Sequence, residues 1–324
     1  MLLMTDKNLY REFCKQEQTI PIFSRDWWLD AVCGLEKWDV IVIKRGKDIA
    51  ATMPYYLIQG RLFKTLGMPS LTQFLGPWIQ LSKKKYADLL SEQKKMMTIL
   101  IDQLPQFDYF SQNFHHSITN WLPFYWKGFS QTTRYTYVIE DLSDLKNVWN
   151  NFSYAKIKNI KKAEKTVSVH FDLSAKDFYN NHRMTLAKQG EKISYSWDLF
   201  ERIYNAGYKR SAAKTIYATD NEGNIHAALF VIWDSESAYD LISTIDPDFR
   251  NSGAATLLIK EIIRYVSTRT KKFDFEGTMI EGVENSFRQF GAIQKPYFTV
   301  FKTNSRLLTI EQNAKSIVQA IRNN

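Results

Sequence analysis

Apolar and polar residues alternate with a period of two at several points along the chain, the mark of a strand; elsewhere they recur near every 3.6 residues, the mark of a helix. From Asp39 to Arg45, Val40, Val42 and Lys44 interleave with Ile41 and Ile43. Gly46-Lys47-Asp48 reads as a turn and Ile49 to Ile58 as the return strand. Before them, residues 1–20 read as a polar tail entering a short helix. Trp27 to Val32 reads as a helix behind Ser24-Arg25-Asp26, which offers N-cap chemistry. Residues 61–80 read as irregular, because Gly67, Pro69, Gly76 and Pro77 interrupt any period. Lys83 to Leu104 predicts a helix with a lysine-rich exposed face, Phe107 to Phe110 a strand, Asn120 to Lys127 a short helix and Thr132 to Ile139 a strand.

The second half replays this order. Tyr154 to Lys165, Ala175 to Gln189 and Trp197 to Lys209 predict helices. Ala213 to Thr219 and Ile225 to Trp233 predict a hairpin around Asn221-Glu222-Gly223-Asn224. Ser237 to Ile245 predicts a strand, Ala254 to Thr268 a helix, Phe273 to Glu276 a strand, Glu284 to Phe290 a helix and Tyr297 to Phe301 a strand. Arg306 to Arg322 predicts an amphipathic closing helix. Phe107-Asp108-Tyr109-Phe110 is echoed by Phe273-Asp274-Phe275-Glu276, and Lys127-Gly128-Phe129 by Phe290-Gly291-Ala292, at nearly the same separation. Order, spacing and residue type agree together, which argues for two copies of one α/β unit with a ligand-sized cleft between them. The expected division is 1–150, 151–305 and a terminal helix at 306–324.

The chain length of 324 residues suits two domains, and the 44% hydrophobic and 15% aromatic content suffices for their cores. Glycine (13) and proline (8) are too sparse for a linker-like or collagen-like chain. Two cysteines, Cys14 and Cys33, exclude a disulfide scaffold and a cysteine-rich zinc module, and fit a reducing compartment. Met1-Leu2-Leu3-Met4 runs directly into Thr5-Asp6-Lys7, without a signal-type apolar region. The apolar run Ala227 to Trp233 falls far short of the ~20 residues of a membrane span. A cytoplasmic protein without a membrane span is the expectation. The net charge of +9 favours anionic ligands such as phosphates, nucleotides or RNA, with a basic solvated surface as the alternative.

The most informative segment is Tyr239 to Lys260. A strand ends at Asp246-Pro247-Asp248-Phe249, and Arg250-Asn251-Ser252-Gly253-Ala254-Ala255 leads into a long apolar helix. Amides at a helix start lack intrahelical partners and sit at the positive end of the helix dipole. Small residues let a diphosphate approach those amides, Arg250 adds charge, and Gly253 permits unusual backbone angles. An ordinary strand-to-helix loop is the alternative.

Arg250-x-x-Gly253-x-Ala255 has the spacing of the acyl-CoA pyrophosphate loop of Gcn5-related N-acetyltransferases. Asp274-Phe275-Glu276-Gly277-Thr278-Met279, Asn285-Ser286-Phe287-Arg288-Gln289-Phe290-Gly291 and Lys295-Pro296-Tyr297 together resemble the C-terminal signature of the FemAB-like acetyltransferase group, which includes the CelD-type acetyltransferases. Lys156-Ile157-Lys158-Asn159-Ile160-Lys161-Lys162-Ala163 resembles that group's basic helix, and Tyr239 to Pro247 its strand. The resemblance covers about residues 150–300. It implies two tandem acetyltransferase-like α/β domains, mixed sheets flanked by helices, and acyl or aminoacyl transfer to an amine or hydroxyl. The donor thioester would lie along Ser243, Thr244 and Ile245, with its diphosphate on the amides of Asn251, Ser252, Gly253, Ala254 and Ala255 beside Arg250. The superfamily's thiolate-protonating tyrosine is replaced by Phe287, and no heptad pattern supplies the coiled-coil arm of many Fem enzymes.

Among single residues, Glu276 ends a predicted strand where a carboxylate can take a proton from an attacking amine or hydroxyl. A loop cap or lysine pair is the alternative, and Asp274 reads as a structural partner. Lys158, Lys161, Lys162 and Lys165 share one helical arc, opposite Ile157, Ile160 and Ala163, with Lys156 in the apolar arc. That arc reads as a solvated face or a landing strip for a phosphorylated substrate or tRNA. Lys156, His182, Arg183, Arg288 and Tyr239 form the candidate acceptor-binding set, and surface polarity is the alternative for His182 and Arg183. No metal is expected: His115-His116 has no carboxylate or cysteine at ligand spacing, and adjacent histidines on a strand point apart. Trp27, Trp28, Trp121 and Trp126 read as core. No Gly-x-Ser-x-Gly elbow or Walker loop occurs, which removes serine-hydrolase and P-loop chemistry. Three functions remain. One is transfer of an acyl group, acetyl foremost, from acetyl-CoA or another acyl-CoA to a small-molecule or envelope or polysaccharide precursor. The second is aminoacyl transfer from aminoacyl-tRNA to a peptidoglycan precursor. The third is ligand binding without catalysis. DNA is not an expected partner.

Overall fold

The computed structural model describes residues 5–80 and 84–310. The chain divides into two compact units. One holds the residues up to Thr133 and again from Tyr297; the other is Arg134–Pro296.

In the first unit, α1 (Asp6–Gln16) is capped by Thr5, whose hydroxyl accepts the Asn8 amide. Helix α2 (Asp26–Cys33) has Arg25 at its N-cap position and no side-chain cap, so the N-cap chemistry offered by Ser24-Arg25-Asp26 is not used: Ser24 lies one residue before the cap, in a 3₁₀ turn, and is buried. Strands β1 (Trp38–Arg45) and β2 (Asp48–Gln59) pair antiparallel across the expected turn. Strand β3 (Lys64–Gly67) pairs β2, and β4 (Trp78–Ile79) pairs β2 as well. Both lie in the stretch expected to be irregular, and strands this short complete no recognisable period. Helix α3 (Tyr86–Asp102) then crosses to β5 (Tyr109–Asn113), which runs parallel to β3, and α4 (Leu122–Trp126) follows. Met53, Leu66, Leu100, Phe110, Phe114 and Phe124 form the core.

The second unit takes β6 (Ser130–Ile139), α5 (Leu145–Asn150), α6 (Tyr154–Ala163), β7 (Ser168–Phe171), α7 (Ala175–Lys188), α8 (Trp197–Lys209), β8 (Ala213–Thr219), β9 (Ile225–Trp233) and β10 (Ser237–Ile245). A 3₁₀ turn (Pro247–Ser252), α9 (Ala254–Val266), β11 (Lys272–Asp274) and α10 (Glu281–Arg288) complete it; β12 (Ile293–Thr303) follows, its residues from Tyr297 on belonging to the first unit. Its strands lie in the order β7-β8-β9-β10-β11-β6. Only β10 and β11 are parallel, joined through α9. Leu257, Leu258, Ile262, Ile263 and Val266 line the buried stripe of α9, each contributing about 1.5–3 kcal/mol by burial.

The same run of elements recurs, β1-β2-β3-α3-β5 and β8-β9-β10-α9-β11, but the closing strands are exchanged. Strand β6 follows α4 in the chain, yet pairs with β11 through Phe273↔Ile139 and Asp274↔Val138. Strand β12 follows α10, yet pairs with β5 from Thr299↔Asn113 to Thr303↔Tyr109. The division near 150 tracks the sequence repeat, whereas packing divides the chain within β6 and β12. Residues 306–310 are helical, and the rest of the predicted closing helix lies outside the described residues.

Candidate active site

Strands β10 and β11 stay paired only through Ser237↔Lys272, Ala238↔Phe273 and Tyr239↔Asp274. Beyond Tyr239 they part. The pairing of β10 with β9 slips between Asp240 and Ile242, a bulge with Leu241 as the extra residue, which bends the strand at the same place. Past the bulge, Ser243 and Ile245 are exposed, while Thr244 is buried with its hydroxyl 2.5 Å from that of Thr185 on α7. A sheet that splays between parallel strands offers backbone amides and carbonyls to an extended ligand.

Three carboxyl groups gather at the parting. Asp274 is fully buried. Its Oδ1 accepts the Thr136 hydroxyl of β6 and, at 2.8 Å, the backbone N–H of Glu276. Asp240 is buried and its Oδ2 accepts the Ser243 hydroxyl at 2.7 Å. Glu276 is half-buried as a residue, but its Oε1 is fully enclosed. Asp240 Oδ1, Asp274 Oδ2 and Glu276 Oε1 are buried with no hydrogen-bond partner. Burial pushes the Asp240 carboxyl up to about 6, against the lowering bond from Ser243. Burial likewise pushes Asp274 up to about 7, opposed by Thr136 and the Glu276 amide. Glu276 is raised well above the carboxylate range, by burial first and then by the charges of Asp274 and Asp240. The predicted strand ran to Glu276, but β11 ends at Asp274, and Glu276 sits in a left-handed turn (φ +60°) followed by Gly277 (φ +72°). A Cβ on Gly277 would come within 2.2 Å of the Tyr135 carbonyl oxygen.

The turn from Pro247 to Gly253 is braced from two sides. Asp246 is buried, accepts the Asp248 amide at 3.0 Å and pairs with Lys188 of α7 at 2.7 Å; Lys188 also reaches Asp248 at 2.6 Å. Lys162 of α6 donates to the Asn251 carbonyl at 2.6 Å, and Arg250 reaches Gln189 at 3.4 Å. Gly253 is left-handed (φ +83°), and a Cβ there would lie 2.3 Å from the Asn159 carbonyl of α6. Glycine at 253 is thus demanded by the neighbouring helix, whatever the ligand. The Ala254 amide donates to Ser252 Oγ at 3.2 Å, and Ala254 is buried, so neither presents to a ligand in this state. Arg250 and Asn251 are exposed, with Ser252 and Ala255 half-buried.

The acceptor set is scattered. Tyr239 is 1% exposed, so it walls the site and offers a substrate no surface. Lys156 is buried on α6 and donates to Ser286 Oγ at 2.7 Å, with its ammonium 4.1 Å from the Phe290 ring centroid; it points at α10 instead of snorkelling out. Burial lowers its pKa to about 8. Its desolvation opposes folding below that pH and is relieved as pH rises from there towards the free-lysine range. Lys156→Met is expected to raise the melting temperature at neutral pH and to flatten its rise at alkaline pH, as calorimetric melts across pH would register. His182 is half-buried, its Nδ1 2.7 Å from the Tyr195 hydroxyl, and burial lowers it to about 4, so it is neutral at pH 7. Arg183 is exposed, and Arg288 is exposed with Asn285 at 2.8 Å.

Asp240, Thr136 and Tyr137 escaped the sequence argument. Asp240 carried a signal, a charge inside an apolar strand; the other two depend on the strand exchange. Phe287 stacks on Phe275 and lies 6.3 Å from Tyr137 of β6, whose hydroxyl donates to Glu284 at 3.0 Å and accepts from Gln294 at 2.6 Å. A phenol does stand beside Phe287, from a different element. His115 and His116 lie with ring centroids 4.1 Å apart, both against Phe74, rather than pointing apart. Trp28 is core as expected, but Trp126 is 56% exposed under Lys94. Among the described residues no cluster of His, Cys, Asp and Glu suits a metal ion, and no helix is long and apolar enough to cross a membrane.

Residues 154–281, which carry the braced turn, the splay and Glu276, match the family described as an acetyltransferase (GNAT) domain. The whole chain resembles the crystal structure of FemX at a TM-score of 0.68 and 11% identity, covering 91% of this chain and 96% of that one. It also resembles a tandem GNAT protein from the clavulanic acid biosynthesis pathway (TM-score 0.52, 8% identity, 91% and 92% covered). A third likeness is to the C-terminal domain of a putative lysylphosphatidylglycerol synthetase from Agrobacterium fabrum (0.52, 11%, 90% and 94%). No curated protein matches the chain in sequence. Residues 154–281 thus match an acetyltransferase (GNAT) domain, within a chain whose α/β fold is like that of FemX.

Proposed function

We propose that the chain is an acyl-CoA-dependent N-acyltransferase whose acceptor is an amine of a small-molecule or cell-envelope precursor. The observation that carries this reading is the set of unpartnered buried oxygens where β10 and β11 part: Asp240 Oδ1, Asp274 Oδ2 and Glu276 Oε1. Asn181 Oδ1, also buried and unpartnered, lies one helical turn before Thr185 on α7. All four are acceptors, and an ammonium supplies donors in every direction. In the proposed step, the arriving ammonium displaces the Glu276 proton to solvent, and the Glu276 carboxylate then takes a proton from the ammonium. The freed amine attacks the thioester carbonyl, and the oxyanion is met by backbone amides of the splayed β10. The C–N bond forms, the C–S bond breaks, the nitrogen gives up its second proton, and the leaving thiolate takes up a proton, the two exchanging through solvent.

The donor's diphosphate is assigned to the start of α9, where the Ala255 and Thr256 amides have no intrahelical partner. Calorimetry with acetyl-CoA tests it. Arg250→Ala is expected to weaken binding by about tenfold or more with unchanged melting, in line with a lost charge-assisted contact, and Ala255→Asp to weaken it by setting a like charge against the diphosphate; equal binding by all three proteins would remove the assignment. A second reading, with aminoacyl-tRNA as donor and a peptidoglycan precursor as acceptor, draws on the exposed Lys158, Lys161 and Lys165 of and just beyond α6. It requires tRNA binding that falls steeply with salt and no protection by acetyl-CoA. Binding of either donor without turnover would favour the third reading, a ligand-binding protein.

A further inference from the structure

We propose that Asp274 and Thr136 are positioning residues for Glu276: Thr136, on the exchanged strand β6, fixes the Asp274 carboxyl, and Asp274 fixes the turn that aims the Glu276 carboxyl into the splay. The inference rests on the reading of Glu276 as proton acceptor.

Asp274 lies between Tyr239 of β10 and Val138 of β6, flanked in sequence by the core residues Phe273 and Phe275. An unpaired carboxyl is an expensive occupant of such a place, so its contacts require a reason. One oxygen carries both bonds, from the Thr136 hydroxyl and the Glu276 amide, and the other carries none. The bond to Glu276 holds the entry to two successive left-handed residues, Glu276 and Gly277. A long side chain adopts that backbone only when its surroundings impose it. Strand β6 completes the frame: the Phe275 amide donates to the Tyr137 carbonyl at 3.0 Å, and the Tyr135 carbonyl presses on Gly277. Three consecutive residues of β6, Tyr135, Thr136 and Tyr137, thus shape residues 274–277. The charged and titratable groups facing Glu276 are Asp274 on β11 and Asp240 and Tyr239 on β10. Burial first, then the charges of Asp274 and Asp240, keep the proton on Glu276 until a cation arrives. The closing strand of the first sequence half is on this account part of the second half's active site.

Two measurements on the ligand-free full chain test this. Infrared titration of the protonated carboxyl band follows Glu276. The band component absent from Glu276→Gln should titrate about one pH unit lower in Asp274→Asn, which keeps Oδ1 but loses the charge. Amide hydrogen exchange of the peptide spanning 275–280 follows the turn. It should quicken about tenfold or more in Asp274→Ala and Thr136→Val, and return to the wild-type rate in Asp274→Asn and Thr136→Ser. An unmoved midpoint in Asp274→Asn, or unchanged exchange in Thr136→Val, overturns the proposal. Should Asp274→Ala fail to fold, the near-isosteric Thr136→Val decides the exchange arm. If wild type shows no component that Glu276→Gln removes, the raised Glu276, and with it the base assignment, fails; the exchange arm still decides the turn.

Discussion

Glu276→Gln lowers kcat for acyl transfer by roughly 10²–10⁴-fold, the range a positioned general base supplies, and melts at a higher temperature than wild type at neutral pH. Both effects come from one arrangement. The Glu276 carboxyl is enclosed beside two other carboxyls, and its pKa is raised by burial, then by Asp274 and Asp240. A carboxyl raised in the folded state opposes folding progressively as pH climbs from its unfolded value towards its folded one. Glutamine keeps the shape and carries no ionisation, so the stability lost across that interval returns. Melting curves should therefore converge in acid and separate towards neutral pH, with the variant higher. A variant that is inactive and less stable at neutral pH would identify Glu276 as a structural partner. An active variant would remove it from the chemistry.

Gly253→Ala destabilises the chain by about 2–4 kcal/mol. The left-handed backbone at 253 resists any side chain, and the new Cβ would meet the Asn159 carbonyl oxygen at 2.3 Å. A carbonyl of a helix backbone cannot yield as a flexible side chain does, so α6 and the start of α9 must separate. Chemical denaturation would register this as a lower midpoint with or without acetyl-CoA. A folded, fully stable Gly253→Ala would show that the approach of the two helices is looser than the contact implies. The consequence for function is practical: loss of CoA binding at Gly253 would report packing, and Arg250 and Ala255 are the positions that report the ligand.

The sequence made the βαβ core legible because α9 and β8 to β10 are long and strongly patterned; period and turn chemistry there agree. It also exposed the internal repeat, through paired Phe-Asp and Gly-aromatic segments. Strands β3 and β4 were lost among Gly67, Pro69, Gly76 and Pro77, where pairing to β2 and β5, not local preference, sets the conformation. At the site, Glu276, which lies just past the end of β11, was marked as a candidate at the end of a predicted strand. Its companions were not. Thr136 is 138 residues away from Asp274, and it reaches Asp274 only because β6 crosses to the other repeat. Gly253 was marked for its backbone freedom, which its φ of +83° uses; the close approach of the Asn159 carbonyl is a second demand that only tertiary packing reveals. Tyr239, expected in the acceptor-binding set, is buried where β10 pairs with β11.

The structure of the complex with acetyl-CoA tests the central claim most directly. The diphosphate is expected on the amides that open α9, with the thioester where β10 leaves β11 past Tyr239 and its carbonyl carbon beside the Glu276 carboxyl. A diphosphate bound elsewhere, or an acyl group remote from Glu276, would contradict the account.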